Sequence, residues 1–218
     1  MNNSSTIRSN AREILSGKWV NAILAYLIFA AIISIAASFY GVFLLISGTL
    51  AYGLYLYFLK LTRSEASDFN QLFKAFSFEG GNLGMFGKTL GLYLLMNLYI
   101  LLWSLLLIVP GIIVAYSYRI AFYLMIDDPE LNISEALKKS KEMMYGYKSK
   151  LFFLDLSFIG WGFLCLLTFG IGFLWLSPYM LTSQSIFYNE LLNEYGISSK
   201  EIKEKQDNEA VNVGGVLE

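Results

Sequence analysis

The sequence predicts an all-α membrane protein: six transmembrane helices arranged as three hairpins, with short amphipathic cytoplasmic helices between them. Three observations predict it. Residues 19–59, 89–118 and 156–189 contain no Lys, Arg, Asp or Glu. Each stretch is broken near its middle by Gly or Pro-Gly, and each is long enough, at about 20 residues per crossing, for two crossings or nearly so. Every charge cluster falls between the stretches. Hydrophobic residues make up 56% of the 218 and charged residues 15%, against about 25% charged in a soluble domain.

The first crossing is expected over about 19–39, followed by a short turn at Tyr40-Gly41, and the second over about 42–61. The third covers about 88–109 and ends at Pro110-Gly111, because Pro cannot donate the helical hydrogen bond and Gly tolerates positive φ. The fourth covers about 112–126 and the fifth about 150–168. Phe169-Gly170-Ile171-Gly172 forms the last turn, and the sixth crossing runs over about 173–189. Only helices satisfy their own backbone in lipid at these lengths. Residues 1–197 therefore read as one transmembrane domain, and the polar segment 198–218 as a disordered cytoplasmic tail. The N-terminal apolar run is longer than a signal-peptide core, so Ala36-Ala37-Ser38 is not expected to be a cleavage site.

Orientation follows from the basic residues. Arg8, Arg12 and Lys18 precede the first crossing; Lys60, Arg63, Lys74 and Lys88 lie in the middle loop; Lys200, Lys203 and Lys205 lie in the tail. The hairpin turns carry none. Positive loops stay inside, so the chain reads as a multi-pass protein of the cell membrane with both termini cytoplasmic. Each hairpin follows an amphipathic stretch and a glycine with lysine close behind: Ala11–Leu15 before Gly17-Lys18, Phe69–Lys74 before Gly87-Lys88, Ser134–Met144 before Gly146 and Lys148. Internal repeats of this kind mark transporter folds. An amphipathic helix with interfacial lysine is also the generic way into a membrane, and is the better reading. The third such helix, about 133–145 with Asn132 or Ser134 as its cap, turns Leu137, Met143 and Met144 to one face. Lys138, Lys139 and Lys141, with Lys148 and Lys150 beyond, offer contact to anionic lipid headgroups.

A net charge of −1 gives no footprint for nucleic acid. There is no histidine and one cysteine, Cys165, so neither metal nor cofactor is expected. Catalytic motifs are missing too: Gly87-Lys88-Thr89 lacks the rest of a phosphate loop, and the neighbouring acids Asp127 and Asp128 read as a helix end. An enzyme is not expected.

Arg119 is the residue on which function turns. It lies eight residues past Gly111 and eight before Asp127, near the middle of the bilayer, where a charge is costly and faces protein or a water-filled cavity. A structural pair with Asp155 is the leading reading; a ligand site, with Tyr116, Tyr118 and Gln184 beside it, and snorkelling to the interface also stand. Pro178 should kink the sixth crossing, with Thr182, Ser183, Gln184 and Ser185 repairing the freed backbone or lining a polar cavity. Small residues at Ala30, Ser34 and Ser38, and at Ser47 and Ala51, suit a close contact between the first two crossings or a homo-oligomer seam.

The run LLLIVPGIIVAYSYRIAFYLMIDDPELNISEALKKSKEMMYGYK and the later LSFIGWGFLCLLTFGIGFLWLSPYM resemble a family of uncharacterised bacterial integral membrane proteins, domain of unknown function 975. The resemblance spans about Thr6 to Glu190 and rests on the Pro-Gly break, the Asp-Pro before the amphipathic helix and the Thr-Phe-Gly-Ile-Gly turn. It implies a six-helix bundle without assigned activity, distantly similar to the membrane domain of some glycerophosphodiester phosphodiesterases, and brings no site residues. The expected function is non-enzymatic: a membrane-organising or envelope-associated protein of the plasma membrane in contact with anionic lipids. A small transporter or flippase-like permease, with a polar path around Arg119, is the alternative.

Overall fold

In the computed structural model the chain is all-helical over the described residues, 1–76 and 84–197. The tail 198–218, and most of the glycine-rich loop before the third crossing, lie outside them. α1 (Ser4–Leu15) is amphipathic: Ile7, Ala11 and Leu15 recur every four residues and are buried. Gly17, at φ 75°, ends it. α2 (Trp19–Ala37) and α3 (Tyr40–Thr62) follow and pack together. The 3-10 helix Phe69–Phe76 folds back on α3, and α4 (Gly84–Leu106) packs on α3 and on α5 (Ile108–Ser117). α6 is Ala121–Asp127 and α7 is Ile133–Met143, with the Glu135 carboxylate accepting from the Asn132 N–H at 3.1 Å to cap it. α8 (Lys148–Leu156), α9 (Ile159–Leu167) and α10 (Phe173–Glu194) complete the chain. Five stretches, Trp19–Ala37, Gly41–Thr62, Gly84–Leu105, Ile108–Asp127 and Lys148–Leu167, are long and apolar enough to cross a membrane. α10 is not among them; it carries the polar run 182–185 and ends through Asn189, Glu190 and Glu194.

Three expectations change. Pro110-Gly111 does not end the third crossing. The break falls at Leu107, and Pro110 sits in the first turn of α5, where a missing N–H costs no helical bond. Gly111 instead lets α5 close on α4: a Cβ there would lie 2.1 Å from the Ser104 Oγ. The fourth and fifth crossings are each interrupted, at Tyr118–Ile120 and at Ser157-Phe158, where no Pro or Gly stands. Side chains from elsewhere meet the backbone at both places: Ser140 Oγ donates to the Ser117 carbonyl at 2.8 Å, and Arg8 Nη1 to the Ser157 carbonyl at 3.3 Å. The glycine turn after α9 is as expected, with Phe169 at φ 51° and Gly170 at 85°.

Burial divides the molecule along its helix axes. Every residue of α6 from Ala121 to Ile126 is buried, as are residues 182–188 of α10 and much of α3 beyond Ser47. Toward the turns that join α2 to α3, α4 to α5 and α9 to α10, the helices α2, α4, α5 and α9 expose large apolar side chains, among them Ile35, Leu105, Ile108, Phe163 and Leu167. An exposed apolar belt of this extent fits a membrane protein. The other end is packed by α1, the 3-10 helix and α7. Gly53 makes that packing possible: a Cβ there would stand 2.2 Å from the Leu72 carbonyl oxygen, so the 3-10 helix rests directly on α3 backbone. α2 meets α3 through Ala22 and Ala25, which are buried with Leu54, Tyr57 and Phe58; Ser34 and Ser38 of the expected small-residue stripe are exposed, and Ser47 is buried.

Candidate functional site

Arg119 emerges from the bend between α5 and α6. It lies where the buried half of the fold meets the exposed half. Tyr55, Tyr116, Tyr123 and Asp155 stand close enough to act electrostatically on the guanidinium. Asp155 accepts from the Tyr116 hydroxyl at 3.1 Å and from Gln184 Nε2 at 3.3 Å. Among the described residues no ion pair joins Arg119 to it directly, and the Arg119 Nε is enclosed with no hydrogen-bond partner. Arg119, Asp155, Tyr116 and Gln184 thus form one polar node; Tyr118 turns away and packs on Tyr99, ring centroids 5.8 Å apart. Next to the node is a cleft of about 240 Å³ between α2, α3 and α10, lined by Tyr26, Tyr55, Arg119, Ser177 and Gln184 on an otherwise apolar wall. The hydroxyls of the polar run mostly close on their own helix: Thr182, Ser183 and Ser185 donate to carbonyls four residues back at 2.8, 2.9 and 3.0 Å. Only Gln184 of that run reaches the node.

A second polar cluster was not foreseen. Arg63, just past α3, grips Asp127, the last residue of α6, with Nη1 and Nη2 at 2.6 and 2.9 Å. Tyr188 donates to the same carboxylate at 2.7 Å, and Arg63 Nε to Asn189 Oδ1 at 3.1 Å. Burial opposes the Arg63 charge, but its bonds to Asp127 outweigh that and hold the guanidinium above its ordinary range. α3, α6 and α10 are locked together here. The sequence hint was a carboxylate closing an otherwise apolar helix, which needs a cation wherever it is buried.

A cavity of about 620 Å³ involves residues that the sequence presents as loop charges and packing. α1 lies against α10 and brings Arg8 and Arg12, one turn apart, to its edge. The walls are Trp19 of α2, Trp161, Leu164 and Cys165 of α9, and Trp175 and Leu176 of α10. Arg8 is fixed from several sides: Tyr179 donates to its backbone carbonyl at 3.1 Å, and its guanidinium carbon stands 5.9 Å from the Phe158 ring centre. The lysine face of α7 is laid out as its pattern requires. Ala136, Leu137, Ser140 and Met143 are buried, Lys138 and Lys141 are exposed, and Lys139 is partly so. Lys148 is partly exposed, and Lys150 is exposed with its ammonium 5.3 Å from the Tyr147 ring centre. Among the described residues no group of His, Cys, Asp and Glu is placed to hold a metal ion.

The family described as "Protein of unknown function (DUF975)" matches residues 1–111 and 105–194, nearly the whole described chain. The chain belongs to this family. The DUF975 match takes in α1 and its two arginines, the node at Arg119 and all of α10. No curated protein matches, and no solved structure matches.

Proposed function

We propose that this DUF975 protein is a six-crossing, non-enzymatic protein of the plasma membrane that organises anionic lipid at its cytoplasmic face. In this reading residues 1–197 form one domain of three hairpins, and both termini are inside. Its apolar belt and the absence of Lys and Arg from the turns at that end support the orientation. The distant similarity to phosphodiesterase membrane domains belongs to the same reading, as a bundle without a reacting group. One observation carries the lipid contact: α7 buries its apolar face and leaves lysines outward at the charged end. Each contributes about 1 kcal/mol of attraction to an anionic surface. In nanodiscs of mixed phosphatidylcholine and phosphatidylglycerol, the wild type should enrich phosphatidylglycerol in its lipid shell. Lys138→Gln/Lys139→Gln/Lys141→Gln should lose most of that enrichment. Equal enrichment in both proteins would remove the lipid-organising role. Ser34 of α2 and Ser38 just past its end, both exposed, are the seam offered for self-association.

The permease reading draws on the Arg119 cleft and its enclosed, unpartnered Nε. An intramembrane arginine without a direct counter-ion suits an anionic cargo. Vesicles holding the wild type should then translocate fluorescent phosphatidylglycerol faster than empty vesicles, and Arg119→Gln should return the rate to background. If wild-type vesicles behave like empty ones, the cleft is not a path.

A further inference from the structure

We propose that the cavity between α1, α9 and α10 holds one anionic phospholipid, its phosphate between Arg8 and Arg12 and an acyl chain along Trp161, Leu164 and Trp175. The idea rests on the membrane reading above, but on different residues from the α7 lysines. The first argument is charge. Neither Arg8 nor Arg12 forms an ion pair among the described residues, and the Arg8 Nε is enclosed without any partner. Two guanidiniums one turn apart at the edge of an apolar cavity lack a counter-charge. A phosphate supplies it, because the planar guanidinium fork matches phosphate oxygens in pairs. Arg8 is also pre-set: its carbonyl is held by Tyr179 and its Nη1 by the Ser157 carbonyl, leaving little side-chain freedom to lose on binding.

The second argument is shape and polarity. At about 620 Å³ the cavity is within the usual span of ligand pockets, roughly 300–1,000 Å³, and its lining is mainly apolar. Polarity runs in one direction. Arg8 stands at the level of Ser157 and Tyr179, with Arg12 one turn on, and Thr168 and Gly172 line the other end, where α9 turns into α10. From Ser157 to Thr168 the helical rise gives about 16 Å. That is close to half of the ~30 Å hydrocarbon core, the depth of one leaflet. The charged end also faces the side of the molecule that carries α7 and its lysines. A lipid of the inner leaflet therefore enters head and tail in its ordinary orientation. Soluble phosphate satisfies only the arginine end and leaves the tryptophan wall empty, so the lipid is the occupant that uses the whole cavity.

Native mass spectrometry of the full chain from mild detergent tests this. Phosphatidylglycerol, phosphatidylcholine and inorganic phosphate are added in turn. The wild type should retain one phosphatidylglycerol per chain, retain phosphatidylcholine far less, and show no phosphate adduct. Arg12→Gln, at an exposed position outside the Ser157 contact, should lower phosphatidylglycerol retention about tenfold, the effect of losing one charge-assisted bond. Trp161→Ala should weaken retention without restoring phosphatidylcholine. The α7 lysine variant should keep this single lipid, which separates the site from the lipid-shell reading. Equal retention in Arg12→Gln and wild type, equal retention of the two lipids, or phosphate displacing the lipid would each overturn the proposal.

Discussion

Replacing Asp127 by Ala should lower stability by about 3–5 kcal/mol, the largest single effect expected in this fold. The carboxylate accepts both Arg63 nitrogens and the Tyr188 hydroxyl, and the Arg63 and Asp127 side chains are only 10% and 6% exposed. Removing it leaves a guanidinium and a phenol enclosed without their acceptor. The melting temperature in detergent should fall on the order of 10 °C. Arg63→Leu should do comparable damage, and the double variant Arg63→Leu/Asp127→Leu far less than the sum, since no unpaired charge remains. Additive losses would mean that the two residues act separately and that the lock between α3, α6 and α10 is held by something else.

The second large effect is expected from the smallest change. Gly53→Ala adds one methyl where the Leu72 carbonyl oxygen, carbon and Cα lie 2.2, 2.5 and 2.6 Å from the new atom. Those are backbone atoms with no rotamer to yield, so the 3-10 helix must lift from α3. Overpacking of this kind costs about 1–3 kcal/mol and occasionally more; displacement of a whole element puts Gly53→Ala at the upper end. Leu72 and Ala75, both 0% exposed, would gain solvent access, and amide exchange over Phe69–Phe76 reads this directly. Gly41→Ala, where nothing lies within 4 Å of the added methyl, is the control and should leave stability unchanged.

What the sequence made legible was local or one-dimensional. Charge-free stretches, the glycine turn at Gly170 and the capped amphipathic helix after Asn132 follow from residues near one another in the chain, and the polar company of Arg119 from matching depths of charge-poor helices. The third and fourth crossings were misplaced because Pro110 is the loudest breaker in that stretch, yet it is harmless in a first turn. The bends at Arg119 and Ser157 carry no breaker residue. Ser140 and Arg8 arrive there from distant segments to bond the freed carbonyls, while the local trace is slight: Ser117 and Ser157 bond back to carbonyls of their own helices. The Arg63–Asp127 lock and the Arg8 cavity escaped notice for the same reason: their residues are 64 and 149 positions from the partners they bond. A basic residue beside a membrane segment looks alike in sequence whether it is solvated or sealed.

The bend between α5 and α6 also shapes the surroundings of the protein. α5 has ten residues, about 15 Å of helix, and α6 beneath it is wholly covered. In the proposed membrane reading, α5 gives a bilayer of ~30 Å core thickness only about half its depth of outward-facing helix on that flank, because α6, which completes the crossing, is covered by protein. Hydrophobic mismatch of this size costs a fraction of a kcal/mol per ångström. In the membrane reading proposed above, the leaflet on the α7 side is expected to thin beside α5 and to keep its full thickness along the 19 residues of α2. One-sided thinning of that kind would draw the protein toward thin or curved patches and toward its own copies, without any contact between them.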